Sequence, residues 1–297
     1  MRNFLVCLFL VLFVAPQARA QLIGEGVFRA VPAASYVGPG DVVSGALAWY
    51  GLRAYNSATR GNPLVNVCNS TGGVDVGCAD LSSSATTGAL VAATVSGITC
   101  PGANCTIKLW YDQSGNGITL TQNTIANRAA LTASCLGSDA CAVFTSASSQ
   151  SYSSSGTVSS AQPYTMAGAY SETGVPEAGI ISVQSAEVGL LASGTAGFGL
   201  LYDVNTGGAS FAISDSVFHV VQGIWNGASS VANVDNTTTT GNSTTALSGK
   251  VYLGVIFSDY PNASVFELGI WGLGFSSGQQ TSMCHNSHTY WGTVTSC

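Results

Sequence analysis

The fold of this chain is decided by a stretch near its middle, CPGANCTIKLWYDQSGNG, residues 100–117. Its two cysteines have four residues between them and can close a tight loop. Residues 105–111 alternate around apolar β-formers, which predicts a half-buried strand. Residues 112–117 supply turn chemistry, because Asp and Asn side chains bond nearby backbone and Gly tolerates positive φ. The stretch therefore predicts a strand that follows a disulfide-closed loop and ends in a polar turn. This turn holds Asp112 and Gln113 at a surface.

Outward from this block the chain reads as short strands separated by turns. Before it, residues 26–30 and 64–68 have strand character. After it, strands are predicted at residues 141–145, 164–171, 178–183, 197–204, 209–214, 217–225, 230–235, 250–257 and 264–271. The serine-rich residues 146–160 are interpreted as a surface turn or a weak edge strand. Short strands at regular spacing predict an antiparallel two-sheet sandwich.

Two segments favour a helix. In residues 44–55, Ser44 can cap a helix whose Leu47 and Leu52 cover one side. The polar tail at residues 276–290 predicts a second short helix, held by the last cysteine pair.

The amino-acid composition limits the classes of molecule that this protein is expected to bind. Only 7% of residues are charged, against about 25% in a typical protein, and the formal net charge is −6. Lys and Arg are scattered, so the sequence has no basic patch for nucleic acid or an anionic membrane. A sequence with few charged residues that is rich in Ser, Thr, Asn, Gly, Tyr and Trp suits an extracellular protein whose partner is a polysaccharide or another glycan.

The first twenty residues have the pattern of a secretory signal. Arg2 provides a positive start, residues 4–15 are apolar, and Ala18-Arg19-Ala20 is a small-x-small cleavage site. No later apolar run reaches the ~18 residues of a membrane span. We therefore expect a signal peptide at 1–20, a single β-sandwich domain at 21–297 and a secreted protein, which would be extracellular, or periplasmic if the host is bacterial.

Eight cysteines follow the predicted signal. An even number behind a signal indicates disulfides. Many pairings are possible, but the cysteines fall into four close couples, which favours Cys68–Cys78, Cys100–Cys105, Cys135–Cys141 and Cys284–Cys297. Zinc is the alternative, because His285 and His288 lie beside Cys284. No second ligand cluster accompanies them, and we expect neither a metal nor another cofactor.

Residues 100–122 resemble the N-terminal part of the catalytic domain of α-L-arabinofuranosidase B, glycoside hydrolase family 54. That family carries a close cysteine pair, a strand ending in Tyr-Asp-Gln-Ser-Gly and a Leu-Thr-Gln shortly afterwards. The resemblance implies an all-β, two-sheet antiparallel jelly roll of the concanavalin A-like or laminin-G-like type, with one or two short helices. The Tyr-Asp-Gln-Ser-Gly-Asn piece also occurs in non-catalytic laminin-G-like domains, so it indicates the fold more specifically than the activity.

The resemblance also implies two catalytic carboxylates. The family nucleophile is a Glu followed by Ala at the start of an apolar strand, which matches Glu177. The acid/base is an Asp shortly after a glycine-containing strand, which matches Asp259. The structural alternatives are an exposed turn carboxylate after Pro176 for Glu177, and for Asp259 a turn residue that bonds its own backbone.

The same resemblance implies that Asp112 and Gln113 help to shape or line the substrate site, and Trp110 is a candidate substrate-binding residue because an indole can stack on a sugar. The alternatives are structural here too: an Asp at a strand end fixes the following turn, and Trp in a β-sandwich is usually buried. Glu267, inside a strand, is either solvated or a buried partner for a cation, and we expect it to be solvated. His219 is expected to be a packed residue rather than a base.

The function implied is that of a secreted glycoside hydrolase that releases terminal arabinofuranose from polysaccharide by a retaining mechanism. A non-catalytic laminin-G-like module that binds glycan or protein, or a structural surface domain, is the alternative. The family carries a vicinal Cys-Cys before the nucleophile strand, whereas residues 172–176 contain no cysteine. This difference favours the alternatives, and the context of Asp259 favours the enzyme. The oligomeric state does not follow from the sequence.

Overall fold

The computed structural model describes residues 35–173, 178–184, 188–193, 198–203, 205, 208–211, 216–293 and 297. Residues 36–297 form one compact unit. The predicted signal peptide and the possible strand at 26–30 lie outside the described residues. Within the described part, no helix has the length and apolar character needed to cross a membrane.

The described chain consists mainly of β-strands, with two α-helices. The helices are α1 (Pro39–Val42) and α2 (Ser277–Tyr290). The strands are β1 (Ala46–Gly51), β2 (Pro63–Asn69), β3 (Gly77–Ser82), β4 (Ala93–Val95), β5 (Ile98–Cys100), β6 (Cys105–Trp110), β7 (Leu120–Thr121), β8 (Ala130–Leu136), β9 (Asp139–Phe144), β10 (Tyr152–Ser160), β11 (Tyr164–Glu172), β12 (Ala178–Val183), β13 (Val188–Ser193), β14 (Phe198–Asp203), β15 (Ala209–Phe211), β16 (His219–Trp225), β17 (Gly227–Val234), β18 (Thr237–Ser243), β19 (Leu247–Leu253) and β20 (Ala263–Trp271).

One antiparallel layer is built around β20. Strands β1 and β9 pair with successive parts of β20, and β11 pairs along its whole length. Beyond β11 the layer continues through β16, β17 and β18. The layer therefore combines the last long strand of the chain with the first described one.

The other layer runs in the order β3–β2–β6–β7–β10–β19–β12–β13–β14–β15, again antiparallel. Strands β8 and β9 connect the layers, because β8 pairs with β6 and β9 pairs with β20. This nearly closed arrangement confirms the predicted all-β sandwich.

The main core contains apolar side chains from both layers. Val67, Ile107 and Leu120 of one layer belong to the same buried cluster as Met166 and Leu268 of the other. A second cluster lies beneath α2 and includes Trp49, Trp271, Phe275 and Met283. The β20 layer is thus covered by apolar groups on both faces.

Residues 44–55 contain strand β1, and the helix predicted there is wrong. Ala48 pairs with Ile270, and Tyr50 pairs with Leu268. Trp49 and Tyr50 are neighbours in sequence, yet both are buried. A strand that is covered on both faces places apolar residues at consecutive positions, and this pattern cannot be told from a buried helix by periodicity alone.

Residues 146–160 also differ from expectation. Strand β10 pairs with β7 and with β19, so it lies inside its sheet. Tyr152 and Val158 are buried, and the Ser154 hydroxyl accepts a hydrogen bond from Val251 N at 2.9 Å. The serine-rich composition concealed an internal strand, in which the Ser154 hydroxyl bonds to the neighbouring strand β19.

The predicted tail helix is confirmed as α2, and all four predicted disulfides are present. Cys68–Cys78 joins directly paired positions of β2 and β3. Cys100–Cys105 closes the turn between β5 and β6, Cys135–Cys141 joins β8 to β9, and Cys284–Cys297 ties α2 to the C-terminal residue.

Candidate functional site

Asp112 holds the turn that follows β6. Its Oδ1 accepts hydrogen bonds from Trp49 N at 3.0 Å and Ser114 N at 2.9 Å. Its Oδ2 accepts from Ile118 N at 3.0 Å and from the Ser114 hydroxyl at 2.9 Å. The structural alternative, an Asp at a strand end that fixes the following turn, accounts for all four hydrogen bonds.

The side chains of Gln113 and Trp110 are also occupied by contacts within the protein. Gln113 is 6% exposed; its Oε1 accepts from Tyr55 N at 2.9 Å, and its Nε2 donates to Gly51 O at 3.0 Å. Trp110 is completely buried in the main core. Because these polar atoms bond to backbone and the indole is enclosed, the placement of Trp110, Asp112 and Gln113 gives no support to direct contact with a substrate.

A cavity of about 450 Å³ lies elsewhere, beside strands β7, β10, β12 and β19 and the loop that follows β19. It is lined by two kinds of side chain. Hydroxyl and amide groups come from Gln122, Ser151, Ser153, Gln184 and Ser258, and aromatic rings from Tyr152, Tyr252, Phe257 and Tyr260. Val255 and Ile256 complete the lining. None of Trp110, Asp112 and Gln113 lines this cavity.

The loop after β19 is a tight hairpin turn. Asp259 N donates to Ile256 O at 2.7 Å, and Ile256 N donates to Asp259 O at 3.2 Å. The two residues between them, Phe257 and Ser258, have φ values of 50° and 81°. Two consecutive positive φ values are characteristic of a type I′ turn. Strand β19 therefore ends before residue 257, and Asp259 is an exposed side chain between two cavity-lining residues.

Strand β12 packs directly against this loop. Gly254 N donates to Ile180 O at 3.0 Å, and the Ser182 hydroxyl donates to Val255 O at 2.8 Å. A Cβ at Gly179 would lie only 2.6 Å from the Val255 carbonyl, so the close approach requires glycine. The strand that follows Glu177 in sequence thus runs beside the loop that carries Asp259. Glu177 itself lies outside the described residues, and its role as the nucleophile stays a prediction.

The cavity is neutral over its described lining. No Asp, Glu, Lys, Arg or His of the described residues lines it. The Gln122 side chain is held by two hydrogen bonds. Its Nε2 donates to Ser151 O at 2.6 Å, and its Oε1 accepts from Thr124 N at 2.9 Å. The hydroxyls of Tyr252 and Tyr260 bond to no part of the chain that the structure describes, and they are available to a ligand. Aromatic faces beside hydroxyl and amide groups can bind an uncharged, hydroxyl-rich molecule.

Glu267 is buried, and its expected solvent exposure is wrong. The side chain is 1% exposed. Its Oε1 accepts from Arg53 Nη2 at 2.8 Å and from the Ser287 hydroxyl at 2.6 Å, and Arg53 Nε also bonds to its carboxylate. Arg53 in turn lies over the ring of Tyr290 at 4.5 Å from the centroid. This ion pair connects β20, α2 and the segment after β1.

One partly buried polar cluster was not predicted from the sequence. Asp235 contacts His219 Nδ1 at 2.5 Å and His288 Nε2 at 2.9 Å, and it accepts from Val220 N at 2.9 Å. Although burial alone would raise its pKa, the hydrogen bonds from His219 and His288 hold the pKa of Asp235 well below the usual range. His219 is buried, as expected. The partners are 16 and 53 residues from Asp235 in sequence, so no local motif indicates them.

Disulfide bonds occupy the cysteines of both candidate metal-ligand groups among the described residues. Two groups of side chains lie close enough together to hold an ion: Cys284, His288 and Cys297, and Cys68, Asp75 and Cys78. Each contains a disulfide-bonded pair. Neither group therefore offers the thiolates that a zinc site uses.

No protein-family model and no curated protein sequence matches this chain. Solved structures do match. A glycoside hydrolase family 54 α-L-arabinofuranosidase soaked with a cyclic sulfate inhibitor superposes with a TM-score of 0.61 at 14% identity. An arabinofuranosidase complexed with arabinofuranosyl-α-1,2-xylobiose superposes with a TM-score of 0.62 at 15% identity.

Both matches cover 86% of this chain and 65% of the arabinofuranosidase chain. The protein therefore has the β-sandwich fold of these glycoside hydrolases and spans about two thirds of their length. At this level of identity the likeness shows the fold, and the activity is a separate question.

Proposed function

We propose that this protein is a secreted glycoside hydrolase that releases terminal arabinofuranose from polysaccharide, and that the cavity beside the 254–260 loop is its active site. The observation that carries the proposal is the packing of β12 against this loop. It brings the strand after Glu177 and the turn of Asp259 together beside a neutral cavity with aromatic and hydroxyl groups. The fold shared with arabinofuranosidases supports the same assignment.

In this mechanism Glu177 is the nucleophile and Asp259 the acid/base. The Glu177 carboxylate attacks the anomeric carbon while Asp259 gives a proton to the departing oxygen, and a glycosyl–enzyme ester forms. Asp259 then takes a proton from water, which hydrolyses the ester and restores both carboxyl groups. The two inversions at the anomeric carbon give net retention.

The test is hydrolysis of 4-nitrophenyl α-L-arabinofuranoside by the wild type, Glu177→Gln and Asp259→Asn. We expect each variant to lose at least about 100-fold in kcat/KM. Asp139→Asn is the matched control, since Asp139 lies on β9 and does not line this cavity. Equal hydrolysis by the wild type and Glu177→Gln would remove Glu177 from the mechanism.

A non-catalytic glycan-binding module is the second candidate. It is favoured by the lining of the cavity, where the described residues contribute no carboxyl group. If the wild type is inactive on the arabinofuranoside but binds saccharides on a glycan array, this second function replaces the first. Inactivity without binding would contradict both.

A further inference from the structure

The turn at the cavity combines a strained backbone with an aromatic side chain. Phe257 has a φ of 50°, in the left-handed region that residues with a Cβ seldom adopt and that is a true outlier for bulky side chains. Type I′ turns prefer Asn, Asp or Gly at this position. The turn itself therefore gives no reason for phenylalanine. Backbone strain of this kind is concentrated at functional sites.

The ring of Phe257 is also unusually accessible. The residue is 51% exposed, and it is the one exposed Phe, Tyr or Trp among the residues whose burial the structure describes. Its partner is Tyr202, at a centroid distance of 5.4 Å and an interplanar angle of 77°. The ring thus has a neighbour that positions it and a large surface that remains open beside the cavity.

We propose that Phe257 is a saccharide-stacking residue, whose ring packs against the apolar C–H face of an uncharged sugar bound in the cavity. This inference rests on the proposed function. The hydroxyls of Tyr252 and Tyr260 and the amide of Gln184 lie around the same cavity and can hydrogen-bond the sugar hydroxyls. The backbone strain at Phe257 is retained because glycine, which would relieve it, has no ring.

The lining also defines the class of sugar. No positively charged side chain of the described residues lines the cavity. An acidic sugar would lose hydration there without gaining a counter-charge from this described lining. The site therefore selects neutral saccharides over uronic acids.

Two variants separate the ring from the backbone. Phe257→Ala and Phe257→Gly both remove the ring, but only glycine relieves the left-handed conformation. We expect both to raise the KM for 4-nitrophenyl α-L-arabinofuranoside and the Kd for α-1,5-arabinotriose about five- to tenfold, with Phe257→Tyr close to the wild type. The Tm of Phe257→Gly should exceed that of Phe257→Ala. Val74→Ala, at another exposed apolar residue, is the control.

The outcomes distinguish this inference from the proposed function. If the wild type hydrolyses or binds arabinosides and Phe257→Ala does so with the same KM and Kd, the stacking role is overturned and the function stands. If the wild type neither hydrolyses nor binds them, the proposed function is overturned as well. A lower Tm for Phe257→Gly than for Phe257→Ala would overturn the strain argument. Tighter binding of trigalacturonic acid than of arabinotriose would overturn the assignment to neutral sugars.

Discussion

Asp112 and Asp235 show how single carboxylates organise this molecule. Each accepts bonds from groups on other elements: Asp112 from Trp49 N on β1, and Asp235 from imidazoles on β16 and α2. Because a buried donor without a partner costs free energy, removing such an acceptor should affect folding before it affects chemistry.

Asp112→Ala removes the acceptor of three backbone N–H groups and one hydroxyl. We expect the free energy of unfolding to fall by about 3 kcal/mol, since the donors near the core lose their partner. Urea denaturation measures this change, with Asp80→Ala at an exposed acid as the control. A variant of unchanged stability that loses affinity for arabinosides would instead establish Asp112 as a substrate-binding residue.

The lowered pKa of Asp235 predicts that the stability of the folded protein depends on pH. Its pKa in the folded protein is below the unfolded value of about 3.9. The stabilisation is therefore complete above about pH 5 and is lost progressively as the pH falls through the unfolded pKa towards the lower folded one. We expect the Tm of the wild type to fall more steeply between pH 5 and pH 2.5 than that of Asp235→Asn, which should be about 2 kcal/mol less stable at pH 7. Parallel Tm curves for the two proteins would contradict this role.

At the scale of elements, the Arg53–Glu267 ion pair contributes to the stability of the fold, because it connects β20, α2 and the segment after β1. Glu267→Ala leaves the fully buried guanidinium of Arg53 without its counter-charge. We expect a loss of about 3–5 kcal/mol in the free energy of unfolding. The double variant Arg53→Met/Glu267→Leu should recover most of it, since replacing both charges by apolar groups is often neutral. A double variant as unstable as the single one would show that geometry, not charge, holds these elements together.

At the scale of the whole molecule, four short covalent loops hold the sandwich. The bonded cysteines are 10, 5, 6 and 13 residues apart in sequence. In the chain-entropy account each such loop contributes about 2–3 kcal/mol, so that together they approach the usual total stability of about 5–15 kcal/mol. We expect full reduction to abolish the near-ultraviolet circular dichroism of the folded protein at 37 °C. An unchanged spectrum, after mass spectrometry has shown eight free thiols, would contradict this estimate.

Local patterns predicted most of the strands but little of the candidate site. The strands at β2, β6, β11, β12 and β20 and the helix α2 follow from periodicity and from turn residues at their ends. The cavity combines residues from 122 to 260, and no single segment indicates it. Asp259, predicted through a resemblance, lies between two lining residues in sequence but is not itself part of the described lining, and Trp110, Asp112 and Gln113 do not line the cavity either.

Local sequence was sufficient to predict the features whose partners are close along the chain: the disulfide-closed block at 100–117, the four disulfides and the alternation of strands and turns. Tertiary structure alone decided whether residues 46–51 form a strand, since both faces of that segment are covered by distant elements. It also decided the burial of Glu267, whose partner Arg53 is 214 residues away. The physical reason is that backbone preference and turn chemistry act over a few residues, whereas burial and charge pairing depend on neighbours that only the folded chain brings together.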